Sequence, residues 1–128
     1  MTHAKHIIIS RLLLGLVFTV FGLNGFIQFI PIPPPTEEAG AFLGALAATG
    51  YMFPLVKGLE IVAGIMLLAN RFVPLALLIL VPIVVNIVAL HLFLDPAGVA
   101  MPLVLTALGL LTAWGYRESF RPVLQAKA

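Results

Sequence analysis

The sequence predicts an all-α membrane protein: four transmembrane helices in an antiparallel bundle, with a short interfacial or re-entrant helix between the first and second. Three observations carry this. Of 128 residues, 62% are hydrophobic and only 9% charged, against the usual ~45–50% and ~25% of soluble domains. Mean hydropathy is +1.16. The apolar residues fall into long runs separated by strong breakers, and a bilayer helix needs about 20 such residues, so the length accommodates four spans and short connections in a single domain, residues 1–128.

The polar start, Met1 to His6, carries Lys5 and leads into a first span over residues 7–30. No small-x-small cleavage site follows, and the apolar run exceeds a signal-peptide core, so it reads as a retained helix. Arg11, one turn inside, is expected to snorkel to the headgroups. Asn24 and Gln28, four apart, are expected on one face. Gly15 and Gly22 are assigned to helix packing. Pro31-Ile32-Pro33-Pro34-Pro35 ends the span, since successive prolines remove donors and favour extended backbone.

Thr36 is placed as N-cap of a short helix over residues 37–49, with Glu37 and Glu38 in its favourable first turn. Gly40, Gly44 and Ala48 recur every four residues, a small-residue face suited to close packing on another helix. Gly50 stops it. The second span runs from Tyr51 to Ala69, and Asn70-Arg71 makes a tight turn into the third, residues 72–93, with Pro74 in its first turn and Pro82 as an interior kink. Leu94-Asp95-Pro96-Ala97-Gly98 is a turn signal. The fourth span covers residues 99–116 and ends on the interfacial aromatics Trp114 and Tyr116.

Charge sets the orientation. Lys5, Arg11, Arg71, Arg117, Arg121 and Lys127 fall on one side of this arrangement, whereas Glu37, Glu38 and Asp95 fall on the other. The asymmetry puts both termini in the cytoplasm and the proline-rich loop outside. A net charge of +2 without a basic cluster gives no nucleic-acid footprint. The absence of cysteine excludes disulfides and thiolate metal sites within the chain.

The seventh basic residue is the informative one. Lys57 and Glu60 lie three apart inside the second span, where a charge costs at least ~2.5 kcal/mol, and on a helix they can touch. Gly64, one turn on, lets a neighbouring backbone approach. At ~1.5 Å per residue the pair lies roughly 9–14 Å below the outer end of its span, level with Asn24 and Asn86, while Gln28 is shallower and Thr106 brings a hydroxyl from the fourth helix. The expected picture is a polar layer in the outer half of the bundle, above an apolar inner half. His91, about 140° round the helix from Asn86, is expected near the outer surface, where Asp95 could pair with it.

The segments RLLLGLVFTVFGLNGF, PLVKGLEIVAGIMLLANRFVPLAL and PIVVNIVALHLFLDP resemble the DoxX family of small four-helix membrane proteins, from about Ser10 to Tyr116. Arg11, Gly15, Gly22, Asn24, Glu60 and Gly64 match in order and spacing. The resemblance implies a multi-pass protein of the bacterial inner membrane. Some members of the family it resembles are subunits of membrane oxidoreductase complexes, including a thiosulfate:quinone oxidoreductase; others, more distantly related, act in assembling or escorting membrane proteins.

Two readings from different classes follow. In the first, Asn24, Gln28, Lys57, Glu60, Asn86 and His91 line an outward pocket for a lipophilic ligand such as a diffusible quinone, in an accessory subunit with a redox partner. In the second, the Lys57/Glu60 pair is structural and the small-residue faces contact a membrane partner or another copy of the chain. A proton or solute pathway ranks lower, because the inner half lacks a polar relay. No catalytic motif, phosphate loop or metal triad is present, so the chain itself carries no assigned chemistry.

Overall fold

The computed structural model describes residues 4–127; the expected polar residues Met1 to His3 of the N-terminal tail lie outside them. Those residues form α1 (Lys5–Asn24), α2 (Glu37–Ala48), α3 (Met52–Ala69), α4 (Val73–Leu94), a 3₁₀ turn (Pro96–Gly98), α5 (Ala100–Gly115) and α6 (Arg117–Phe120), with no strand among them. By length and composition α1, α3 and α4 can each cross a membrane, whereas α5 is a shorter apolar helix of 16 residues. The protein is therefore all-helical and of membrane type. At 12 residues, α2 reaches only about 18 Å, well short of a ~30 Å hydrocarbon core.

The first helix stops earlier than expected. Asn24 ends α1, and its side chain then organises the chain that follows: Oδ1 accepts from Phe29 N at 3.0 Å and Ile30 N at 2.8 Å, and Nδ2 donates to Ile30 O at 3.1 Å. A short amide side chain offers the backbone an alternative to the helical ladder, and here that alternative wins. Gln28 consequently lies in the irregular segment after α1, not on its face.

The remaining boundaries follow local chemistry. Thr36 caps α2 by accepting from Ala39 N at 3.2 Å, and its hydroxyl donates to Leu94 O at 2.6 Å, tying the start of α2 to the end of α4. Gly50 leaves α2 with φ +78°, a conformation that suits glycine. Asn70 closes α3 in the left-handed region, where Arg71 N reaches back to Met66 O at 3.0 Å. Phe72 is left-handed as well, so the three-residue turn is tight and α4 begins directly with Pro74 in its first turn.

Four helices pack as a ring in which α1 touches α3 and α5, and α4 touches α3 and α5; α1 on α3 is the most extensive pairing. The reason is small residues at the crossing. A Cβ placed on Gly15 would lie 2.9 Å from Gly64 O, and one on Gly64 would lie 2.7 Å from Thr19 N, so only glycine allows this approach. The core of the ring is Leu14, Phe18, Ala63, Leu67, Ala76, Leu77, Leu80 and Leu105.

Contacts identify which helix ends meet. Ser10 near the start of α1 shares a 3.0 Å hydrogen bond with Thr112 near the end of α5. Arg11 donates to Leu67 O, and at 3.4 Å to Leu68 O, at the end of α3. Tyr116 donates to Asn70 Oδ1 at 2.7 Å. Arg11 is 8% exposed, so it does not snorkel outward; its guanidinium is turned onto the carbonyl-rich C-terminus of α3, where the helix dipole favours a cation.

A second expectation is corrected at α2. A Cβ on Gly44 meets nothing within 4 Å, and Ala48 is exposed, so the Gly40/Gly44/Ala48 face is not a close helix contact in this chain. Instead α2 turns Ala39, Leu43 and Leu46 inward, the i, i+4, i+7 stripe of an amphipathic helix.

Candidate ligand-binding site

Lys57 and Glu60 are one turn apart on α3, and their side chains meet, with Nζ 3.4 Å from Oε2. The carboxylate-bearing side chain is 4% exposed and the lysine 27%, so Glu60 depends on Lys57 while Lys57 retains access to the surroundings. The lysine is held by its stem. A Cβ on Gly25 would come within 2.6 Å of Lys57 Cγ and 2.8 Å of Cδ, so the missing side chain after Asn24 is the seat on which Lys57 lies. Gly22, three residues earlier, admits Lys57 O and Ile61 in the same way.

Two cavities adjoin at this lysine. The first, of about 220 Å³, contains Lys57, Glu60 and Asn86, with Phe42, Leu43 and Leu46 of α2 over it and Ile83, Ile87 and Leu90 of α4 along one side. The second, of about 770 Å³, lies between the end of α1, the chain through Ile32 and α3, and includes Asn24, Gly25, Gln28 and Lys57. Leu43, Phe53 and Lys57 belong to both. A hydrophobic wall with one ammonium thus divides a small charged-pair cavity from a larger one lined by loop backbone.

The predicted site residues separate accordingly. Lys57, Glu60 and Asn86 are brought together; Asn24 and Gln28 reach the second cavity, with Lys57 in common. Asn24 has its amide engaged with the loop, so its presence there is architectural. Gln28 is exposed. Asn86 is exposed too, and its Nδ2 donates to Pro82 O at 3.1 Å within α4.

His91 lines neither cavity. Its Nδ1 sits 2.8 Å from Ile87 O, and its ring packs where a Cβ on Gly98 would fall, 2.8 Å from Cδ2. Among the described residues no ion pair joins it to Asp95. Thr106 also departs from the expected layer: its hydroxyl donates to Pro102 O at 2.9 Å, and the residue borders an apolar groove between α4 and α5. Polar groups near the ion pair therefore come from α3, α4 and the end of α1, forming a crescent under α2 and not a complete ring.

Several contributors were not singled out from sequence. Gly25 seats the lysine, and Phe42, Leu43, Leu46 and Phe53 supply the walls. Only Gly25 left a sequence signal, a second glycine three residues after Gly22 beside a helix-ending asparagine. Comparison with protein-family models, with curated proteins and with solved structures finds no match.

Proposed function

We propose that this chain is a DoxX-like integral protein of the bacterial inner membrane that binds the headgroup of a lipophilic small molecule, a quinone being the candidate, as an accessory subunit of a membrane redox system. In this reading α1, α3, α4 and α5 are four antiparallel spans and both termini are cytoplasmic. The meeting of Arg11 with the end of α3, and of Tyr116 with the α3–α4 turn, supports it by gathering Arg11, Arg71 and Arg117 toward one end.

The observation that carries the ligand reading is the charged-pair cavity itself. A volume of about 220 Å³ falls below the ~300–1,000 Å³ of sites that engulf a whole ligand, so it suits a ring-sized headgroup whose tail leaves between helices into lipid. Lys57 can donate to a ring carbonyl, Asn86 can orient a second polar group, and α2 covers the cavity from one side. An aromatic-and-aliphatic lid over one ammonium is a fitting environment for a flat, weakly polar ring.

The test is photolabelling with an azidoquinone in proteoliposomes. Label is expected on α2 or α3, and a Lys57→Met/Glu60→Gln double variant should lose it while remaining helical. Undiminished labelling of that variant removes the proposal.

A second reading has one observation in its favour: at 3.4 Å, Lys57 and Glu60 satisfy each other without any ligand. The protein would then be an assembly or scaffolding component. Purification from native membranes that yields a stoichiometric protein partner, with no dependence on quinone, selects this reading.

A further inference from the structure

We propose that the groove between α4 and α5 binds one acyl chain of an anionic phospholipid, whose phosphate is held by Arg117 and Arg121. The groove has a volume of about 360 Å³ and shares no residue with the two cavities near Lys57. It runs from Leu105 to Ala113 on α5, roughly 12 Å at the helical rise, with Leu77 to Val85 of α4 on the facing side. Its depth comes from Gly109, where a Cβ would meet nothing within 4 Å.

The lining selects hydrocarbon. Its one hydroxyl, Thr106, is already donated to Pro102 O at 2.9 Å, which leaves nothing to hold water. An apolar cavity of about 150 Å³ already takes up benzene, and this groove is more than twice that size. Phe120 and Leu124 border the groove, and Leu124 N bonds Phe120 O at 3.1 Å, so the two stand one helical turn apart.

The charge at the border selects the headgroup. At ~100° per residue, Arg117 and Arg121 lie together on one side of the Phe120/Leu124 pair, roughly 20° and 60° beyond Leu124, so both can reach one phosphate. Arg117 lies 4.4 Å from the centre of the Trp114 ring and donates one N–H to Trp114 O at 2.8 Å; among the described residues its other donors are unspent. Arg121 meets Glu118 through Nε at 3.3 Å, and its side chain is 74% exposed. Two arginines and one glutamate give a local charge of +1, and one net basic charge near an anionic headgroup corresponds to roughly fivefold preference.

Trp114 is the one tryptophan of the chain and stands beside Ala113 of the groove, so its fluorescence reads occupancy. The protein is reconstituted in phosphatidylcholine containing either brominated phosphatidylglycerol or brominated phosphatidylcholine, and the relative association constants are taken from quenching. The expected ratio is roughly fivefold in favour of phosphatidylglycerol. Arg121→Gln, which leaves the Trp114–Arg117 contact untouched, should bring it to about one, and Glu118→Gln should raise it by roughly a further fivefold. Gly109→Leu, with helicity checked by circular dichroism, should reduce quenching by both lipids. Equal association of the two lipids with the unmodified protein overturns the proposal. So does quenching by neither lipid; crosslinks between copies through Gly109→Cys then show that a second copy fills the groove.

Discussion

Removing one partner of the Lys57–Glu60 pair should hurt unequally, and the inequality follows from exposure. Lys57→Met leaves the Glu60 side chain, 4% exposed, facing Met, Phe and Leu with no replacement cation nearby. Breaking a buried pair in this way costs about 3–5 kcal/mol, because the remaining charge is uncompensated. Glu60→Gln leaves a lysine that is 27% exposed and already borders the larger cavity, so the loss should be nearer 1 kcal/mol. The double variant Lys57→Met/Glu60→Gln removes both charges and should lie close to the unmodified protein, within about 1–2 kcal/mol. The coupling between the sites is then roughly 3 kcal/mol, far above the 0.3–0.5 kcal/mol scatter of independent substitutions. Reversible unfolding of the four proteins in detergent micelles measures the cycle. Equal losses for the two single variants, or additivity in the double, would refute the assignment of Glu60 as the dependent partner.

Three further substitutions probe what holds the site. Gly64→Ala should cost about 1–3 kcal/mol in the same unfolding assay, since its Cβ would press on Thr19 N and Gly15 O, whereas Gly44→Ala, in open space, should be neutral or stabilise by up to about 1 kcal/mol. Arg11→Met should cost about 1–3 kcal/mol by removing a charged hydrogen bond to the end of α3, and Arg11→Lys should recover only part of it, because a single ammonium replaces a planar fork; melting temperatures rank the three. Gly25→Ala should leave the helices intact, as its backbone is ordinary α-helical, yet displace the Lys57 stem; azidoquinone labelling should fall while the melting temperature changes little.

Local chemistry made most elements legible. Proline clusters, the Thr36 cap, Gly50 and the Asn70-Arg71 turn each act on their own few residues, so their consequences can be read without knowing the rest of the fold. The i, i+3 meeting of Lys57 with Glu60 and the close approach at Gly64 belong to the same class. What could not be read was the facing of each helix. In lipid, the side turned to hydrocarbon and the side turned to protein are both apolar: Phe18 is 1% exposed and Leu16, two residues before it, is 52% exposed, and composition does not distinguish them. Thr106 was therefore expected beside the ion pair and lies on the other side of α4, and Arg11 was expected at the headgroups and lies inside.

The misplacement of Gln28 has a different origin, and it bears on how the site is built. An apolar run continues through Phe29 and Ile30, so hydropathy extends α1 past the point where Asn24 turns the chain. That early ending frees residues 25–36 to cross the end of the bundle and bring α2 over the ion pair. Had α1 continued for another turn and a half, Gly25 would have carried the Lys57 stem against an unbroken helix, and the larger cavity would have no loop wall. Asn24 thus acts on the site without offering its amide to a ligand, by deciding where the helix stops. Leu43, the residue of α2 common to both cavities, then couples any movement of α2 to the space on both sides of Lys57.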